Sequence, residues 1–201
     1  MKISKIEPQR KNKNRCSIYI DGEFRFGLTK DLVLKYDLSE GDEITDDEIK
    51  NVLLEEEKQK IKQRAFRILH YRDRSAQELK NRLIRIGFDQ SLVDQVIEDF
   101  VEDKTLDDER FIKAFINDYT KLKPKGNIFI IYELRKKGFS REMVIKMLNK
   151  RDEKSIIKNF IQKKLAHLDK NNPKARQKII RRLLSRGFSP NVVYDALSET
   201  T

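Results

Sequence analysis

Apolar and polar residues alternate twice near the start of the chain. In RCSIYIDGEFRFGL (15–28), an apolar residue stands at every second position on both sides of Asp21-Gly22. This pattern predicts a β-hairpin, because a two-residue type I′ turn requires positive φ at both of its positions, which Asp and Gly tolerate. Ile3 and Ile6 predict a third strand at the edge of the same small sheet.

Beyond the hairpin the apolar spacing becomes helical. Thr29 is predicted to cap a short helix, and Thr45 with Glu48 forms a capping-box pattern that opens a long helix through about Tyr71. An acidic triplet at 55–57 lies within this long helix. We interpret the triplet as a solvated face.

Three similar heptapeptides then recur at intervals of about fifty residues. They are RLIRIGF (82–88), ELRKKGF (133–139) and RLLSRGF (182–188). Each has leucine four residues before its glycine and phenylalanine directly after it. This spacing predicts a helix that ends at a left-handed glycine, with the phenylalanine packed back onto the leucine in a Schellman motif. Asp89, Ser140 or Ser189 follows as a predicted N-cap of the next helix.

Each heptapeptide joins two predicted helices. Another apolar helix precedes each pair, so every repeat is predicted to contain three helices. The predicted helices are 55–71, 75–86, 90–103, 107–121, 126–137, 140–149, 153–168, 172–186 and 189–198. The predicted segments are an N-terminal β-hairpin and helix segment (1–54) and three-helix repeats at 55–104, 105–151 and 152–201. We therefore expect a mostly α fold of three tandem three-helix repeats in an elongated, curved array, with a small N-terminal β-hairpin segment.

Charge is distributed unevenly between these segments. The chain has 44 Lys and Arg against 33 Asp and Glu, a formal net charge of +11. Residues 1–54 contribute 10 basic and 11 acidic residues, whereas 121–151 holds 10 basic and 2 acidic, and 163–187 holds 9 basic and 1 acidic. The second and third repeats therefore carry the excess, which favours a polyanion or an acidic protein as partner.

Patterns for catalysis, metals and membranes are missing from the sequence. No CxxC, HxxxH, HExxH, GxGxxG or GxxxxGK[ST] occurs, and we expect no enzyme activity, metal or other cofactor. His70 and His167 are interpreted as matching positions of repeated helices, Asp107-Asp108-Glu109 as a helix N-terminus, and Cys16 as a packed thiol. No apolar stretch has the length of a signal peptide or a membrane span, so we expect a cytoplasmic protein.

The basic residues are the remaining functional signal, because they recur beside the three glycine turns. Cations in the last turn of a helix interact favourably with the helix dipole, but this interaction does not account for three clusters in one array. The residues predicted to form a binding face are Arg72, Arg74, Arg82, Arg85, Lys123, Lys125, Arg135, Lys136, Lys137, Arg176, Lys178, Arg181, Arg182 and Arg186.

Three motifs, in this order and spacing, make the chain resemble the RecX family of recombination regulators. An S-x-x-E-L helix stands at Ser75/Glu78/Leu79, an L-D-D-x-x-F helix start at Leu106/Asp107/Asp108/Phe111, and an E-L-x-x-K-G turn at Glu133/Leu134/Lys137/Gly138. The resemblance covers about 55–201, and the first 54 residues are similar to an extra N-terminal segment of some members.

The resemblance implies a fold of three tandem three-helix units and a regulatory role. RecX-like proteins bind the RecA recombinase filament on single-stranded DNA, lodge in its groove, and restrain its ATPase and strand exchange. We accordingly expect a monomer whose partners are the RecA filament and single-stranded DNA, reached through phosphate contacts. Two other functions stay open: a basic helical protein that binds DNA directly, as a helix-turn-helix would, and a scaffold for another acidic protein.

Overall fold

The computed structural model describes residues 1–168 and 172–198. In this part of the chain a three-stranded sheet is followed by ten α-helices, which confirms the mostly α fold with a small N-terminal β segment. The strands are β1 (Ile3–Pro8), β2 (Arg15–Ile20) and β3 (Glu23–Thr29). The helices are α1 (Lys30–Lys35), α2 (Asp46–Tyr71), α3 (Ala76–Ile86), α4 (Gln90–Glu102), α5 (Asp108–Asn117), α6 (Asn127–Lys136), α7 (Arg141–Leu148), α8 (Glu153–Lys164), α9 (Pro173–Leu184) and α10 (Pro190–Ser198). A search of the described helices finds none long and apolar enough to cross a bilayer.

The N-terminal sheet is antiparallel with β2 in the centre. Asp21 and Gly22 have φ angles of 51° and 87°, and Ile20 lies opposite Glu23, so the turn has the two left-handed residues that the sequence predicts. Strand β1 pairs with β2 from Ile3 onward, which confirms the third strand.

The chain divides into two compact units. The first comprises Met1–Arg72 and Lys80–Phe100; the second comprises Asp73–Leu79 and the chain from Val101 onward. The first turn of α3 therefore belongs to the second unit. In the first unit, one face of the sheet buries its apolar side chains together with those of α1 and the start of α2, and Cys16 is buried there as predicted.

The acidic triplet of α2 does not form a solvated face, so that interpretation was wrong at its central residue. Glu56 is only 2% exposed and accepts hydrogen bonds from the Arg15 guanidinium at 2.5 Å and from the Thr29 amide at 3.0 Å. Burial of this carboxylate is possible because a cation and a backbone N–H meet it inside the unit. Thr29 occupies the N-cap position of α1, but its hydroxyl donates to Gln59 instead of capping the helix.

The helix–glycine–helix turns are present in all three repeats. Gly87, Gly138 and Gly187 have φ angles of 107°, 97° and 80°. The amide that follows each glycine donates to the leucine carbonyl five residues back, at 3.4, 3.2 and 3.4 Å respectively. This is the Schellman hydrogen bond, and in the second and third repeats the phenylalanine and leucine also share one buried core.

Two helices of the second unit, α5 and α8, end four residues earlier than predicted, whereas the other described helix ends of this unit agree to within two residues. Helix α5 stops at Asn117 and continues as a π-helical turn, Asp118–Leu122, where the hydroxyl of Thr120 donates to the Ile116 carbonyl at 2.7 Å. Helix α8 stops at Lys164, because Leu165 leaves the helical region with a φ of −132°. Apolar spacing alone does not separate an α-helical turn from the π-helical or irregular turn that follows it.

Candidate functional site

The structure separates the fourteen predicted binding residues into two groups by exposure. Ten have exposed side chains, and these are Arg72, Arg82, Arg85, Lys123, Arg135, Lys136, Arg176, Lys178, Arg181 and Arg182. The other four are half-buried, namely Arg74, Lys125, Lys137 and Arg186. Three of these four have structural contacts within the chain besides any role at a surface. The Lys125 ammonium lies 4.4 Å from the centre of the Phe129 ring, the Lys137 ammonium pairs with the Glu78 carboxylate, and the Arg186 guanidinium donates to the Pro124 carbonyl.

Lys137 forms part of a hydrogen-bonded cluster in the second unit. Its ammonium lies 3.0 Å from the Glu78 carboxylate, and both side chains are about one-fifth exposed, at 19% and 20%. Its carbonyl oxygen accepts a 2.6 Å hydrogen bond from the hydroxyl of Ser75, which is completely buried. The charge of Lys137 is therefore largely matched by Glu78.

Arg186 has the corresponding position before the third glycine and is also held within the second unit. Its guanidinium donates to the Pro124 carbonyl at 3.1 Å and lies 4.4 Å from the centre of the Phe160 ring. Burial lowers the pKa of Arg186, and the nearby charge of Arg182 lowers this pKa further. An arginine nonetheless keeps its charge at neutral pH, so Arg186 remains a fixed cation.

The three sequence motifs that resemble the RecX family meet around Ser75. The Ser75 hydroxyl caps α3 by accepting from the Glu78 amide at 3.1 Å, and the Asp108 carboxylate accepts from the Ala76 amide at 3.0 Å. The Asp107 carboxylate caps α5 by accepting a hydrogen bond from the Arg110 backbone amide, which confirms the acidic cluster as a helix N-terminus. The motif residues thus stabilise two helix starts and one helix end, and this explains their side-chain chemistry.

A second junction of the same kind joins Gly126 to the third glycine turn. The Gly126 amide donates to the Arg186 carbonyl at 3.0 Å, and the Ile128 amide donates to the Gly187 carbonyl at 3.1 Å. A Cβ atom on Gly126 would overlap that Gly187 carbonyl group. Backbone packs directly on backbone here, so only glycine fits at position 126.

One cleft of the second unit is lined by cationic side chains that lie close to this junction in the sequence and in α8. It has a volume of about 520 Å³ and lies between the π-helical turn, the loop after it and α8. We call it the basic cleft; its cationic side chains are Lys121, Lys123, Lys163, Lys164 and Arg186. Lys123 and Arg186 belong to the predicted face, whereas Lys121, Lys163 and Lys164 were not among its residues, although the high basic count of their stretches pointed to them.

The basic cleft has the composition of an anion site. None of the described residues lining it is Asp or Glu, while Thr120 and Asn159 add neutral hydrogen-bonding groups. Leu122 lies at its edge with 72% of its surface exposed. Five cations without a carboxylate among the described lining residues attract a phosphate chain.

The described residues offer no arrangement suited to metal binding. Within 1–168 and 172–198, no group of three or more His, Cys, Asp or Glu side chains is placed to hold an ion. His70 and His167 are both exposed.

Comparisons with known proteins cover nearly the whole chain. Four family models match: the Regulatory protein RecX N-terminal domain at 1–45, and the first, second and third three-helix domains of RecX at 62–100, 107–148 and 152–197. These matches extend the resemblance to the N-terminal segment.

Individual relatives agree with the family models. A protein of Clostridium perfringens named Regulatory protein RecX is 31% identical over 196 residues, covering 94% of this chain and 91% of the relative. A protein of the same name from Clostridium beijerinckii is 28% identical over 204 residues, covering 98% and 95%. A solved structure titled "Crystal structure of regulatory protein RecX" matches the fold with a TM-score of 0.80 at 23% identity, covering 99% of this chain and all of that one.

Proposed function

Since the chain belongs to the RecX family of regulatory proteins, we propose that it binds RecA filaments on single-stranded DNA and mainly inhibits their ATPase, recombinase and strand-exchange activities. In this proposal the chain acts in the cytoplasm as a monomer, needs no cofactor and catalyses no reaction itself. Its effect arises from binding, because a ligand that prefers one state of a filament shifts the filament toward that state.

The observation that supports direct contact with DNA is the basic cleft. None of its described lining residues is a carboxylate. Four of its cations, Lys121, Lys123, Lys163 and Lys164, are exposed and available to a phosphate, whereas Arg186 is held by the Pro124 carbonyl and the Phe160 ring. Neutralising phosphates releases condensed counterions, which favours binding at low salt and is independent of base sequence. A cleft of this kind would hold the DNA backbone within a filament without selecting a sequence.

A sequence-reading helix-turn-helix receives less support from the structure. In a helix-turn-helix, the helix that directly follows the turn would enter the major groove, and here these helices are α4, α7 and α10. Helix α4 has four acidic residues and no Lys or Arg, and α10 has no Lys or Arg either. Two of the three helices therefore offer no cation to a phosphate, and α7, with Arg141 and Lys146 against Glu142, is the exception, so direct sequence readout is the weaker alternative.

The proposal is tested by RecA ATP hydrolysis on single-stranded DNA during titration with this protein. The cleft variant carries Lys121→Glu, Lys163→Glu and Lys164→Glu, all at exposed positions. The control variant carries Lys11→Glu, Lys13→Glu and Lys30→Glu, which are also exposed and change the net charge equally. Thermal melting by circular dichroism verifies that both variants are folded.

Inhibition by the native chain and by the control, together with its loss in the cleft variant, is the expected result. Equal inhibition by all three proteins would retain the regulatory function but exclude the basic cleft from it. If the native chain leaves both ATP hydrolysis and filament length unchanged at stoichiometric amounts, the proposed function is wrong.

A further inference from the structure

A second cavity of the second unit shares Thr120 with the basic cleft but differs from it in chemistry. It has a volume of about 770 Å³ and runs between α5 with its π-helical continuation and α7. We call it the methionine groove; the side chains used below are Ile116, Met143, Met147, Lys113, Lys146 and Lys150.

The floor of the methionine groove is apolar and adaptable. The whole chain has three methionines, and the two that are not at its first position, Met143 and Met147, both line this groove. Met143 is 37% exposed, and Met147 and Ile116 are half-buried beside the core of the second repeat. Flexible, polarisable methionine side chains are favoured on surfaces that receive apolar side chains of a partner.

Arg151 lines one end of the groove and is hydrogen-bonded to the π-helical turn. This side chain is 4% exposed, and it donates to Thr120 Oγ1 at 2.7 Å and to the carbonyl oxygens of Tyr119 and Lys125 at 3.0 and 2.5 Å. These hydrogen bonds fix the π-helical turn that forms one wall. Moving this wall inward would break several hydrogen bonds of a buried guanidinium, so the groove is largely preformed. π-Helical turns are also common at functional sites.

The rim of the groove is cationic. Lys113, Lys146 and Lys150 stand along it, and Glu109 is the acidic residue among the described lining groups. Glu109 pairs with Lys113 at 2.5 Å, which leaves Lys146 and Lys150 as the uncompensated charges beside the methionines. A partner that combines apolar anchors with flanking carboxylates complements this surface, whereas a nucleic acid would leave the apolar floor without a matching surface.

The geometry points to a docking site for an acidic amphipathic helix of a partner protein. The eight residues of α7 are about 12 Å long, which equals roughly two turns and accommodates partner anchors at positions i, i+3 or i+4, and i+7. The anchors contact Met143, Met147 and Ile116, and Glu or Asp on the partner's flanks contacts Lys146 and Lys150. This inference depends on the groove alone and holds whichever protein supplies the helix.

The test uses fluorescence anisotropy with a labelled 16-residue designed peptide as probe. The peptide is helical, with Leu and Phe anchors at i, i+3 and i+7 and Glu on its flanks; a second peptide has Lys in place of every Glu. The groove variant is Met143→Glu. The matched control is Ile145→Glu on the same helix, because Ile145 is 39% exposed, close to the 37% of Met143, but does not line the groove.

We expect the acidic peptide to bind the full chain and the Lys peptide to bind at least tenfold more weakly. Met143→Glu should weaken binding of the acidic peptide at least tenfold, and Ile145→Glu less than twofold. Equal binding of both peptides, equal loss in both variants, or no binding would overturn the proposal. So would loss of self-association or of oligonucleotide binding in Met143→Glu alone, since these results would assign the groove to a second copy or to nucleic acid.

Discussion

The hydroxyl of Ser75 donates a hydrogen bond to the carbonyl oxygen of Lys137, sixty-two residues further along the chain, at 2.6 Å. The same hydroxyl accepts from the Glu78 amide. A single buried side chain therefore satisfies a backbone donor at the start of α3 and a backbone acceptor at the end of α6, which are the groups that helix ends leave unpaired.

Ser75→Ala is expected to lower the free energy of unfolding by about 2–4 kcal/mol, because loss of an N-cap costs about 1 kcal/mol and an unsatisfied buried carbonyl costs a further 1–3 kcal/mol. Urea denaturation at pH 7 measures this change. Ser140→Ala removes an N-cap that is exposed and serves only α7, so it should cost about 1 kcal/mol. Equal losses in the two variants would contradict a dual role for Ser75.

Replacement by alanine is expected to lower the free energy of unfolding by different amounts at Gly87 and at Gly126. Gly87→Ala adds a Cβ that meets nothing within 4 Å, so it should cost only the left-handed strain of about 1–2 kcal/mol. At Gly126, which has an ordinary negative φ of −77°, the added Cβ overlaps backbone that cannot rotate away.

Gly126→Ala should therefore destabilise the chain by more than Gly87→Ala, although it introduces no strain in φ. Urea midpoints of the two single variants, measured under the same conditions, give the comparison. A Gly126→Ala protein as stable as the native chain would show that the Gly126–Gly187 contact does not constrain the second unit.

The capping box of α2 should make part of the stability depend on pH. Hydrogen bonds from the backbone and then the hydroxyl of Thr45 lower the pKa of Glu48 below its ordinary value of 4.5. A carboxyl whose pKa is lower in the folded state stabilises the fold above the unfolded pKa, and this contribution is lost as pH falls through the folded pKa.

Glu48→Gln should thus lower the melting temperature at pH 7 and have a smaller effect at pH 3. Glu98→Gln removes the same charge from an exposed position within α4 and is the matched control. If the effect of Glu48→Gln is as large at pH 3 as at pH 7, the charge of Glu48 does not contribute to the cap.

Direct phosphate contact in the basic cleft predicts a change in salt dependence. Each phosphate contact on a single strand contributes about 0.7 to the slope of log affinity against log salt concentration. Replacing Lys121, Lys163 and Lys164 by Gln should therefore reduce the slope for an oligothymidine by about 2, as measured by anisotropy between 50 and 200 mM salt. Replacing Lys11, Lys13 and Lys30 by Gln should leave it unchanged, and an equal reduction in both variants would indicate a diffuse charge effect.

Local signals made the turns and helix starts predictable. Asp21-Gly22 and the three glycine–phenylalanine pairs each define a conformation that few other residues adopt, so their spacing was sufficient. The buried Glu56 was not predictable in the same way. Its neighbours in sequence are charged, and only the sheet brings Arg15 and the Thr29 amide to it.

The candidate site was only partly predictable for a related reason. Charge counts identified the basic stretches, but helix-end position alone did not distinguish Lys137, which pairs with Glu78, from Lys163 and Lys164, which line the basic cleft. Whether a cation forms a structural ion pair or stays exposed at a binding surface depends on residues distant in sequence, and these contacts cannot be predicted from a single sequence.

The hydrogen bonds that the Gly126 and Ile128 amides donate to the third glycine turn also make this contact observable by hydrogen exchange. A protected amide exchanges its hydrogen for deuterium only when its hydrogen bond opens, so these two amides exchange when the start of α6 separates from residues 186–187. Their protection reports the free energy of opening that contact in the native protein, without any substitution, and can be followed while a partner is bound.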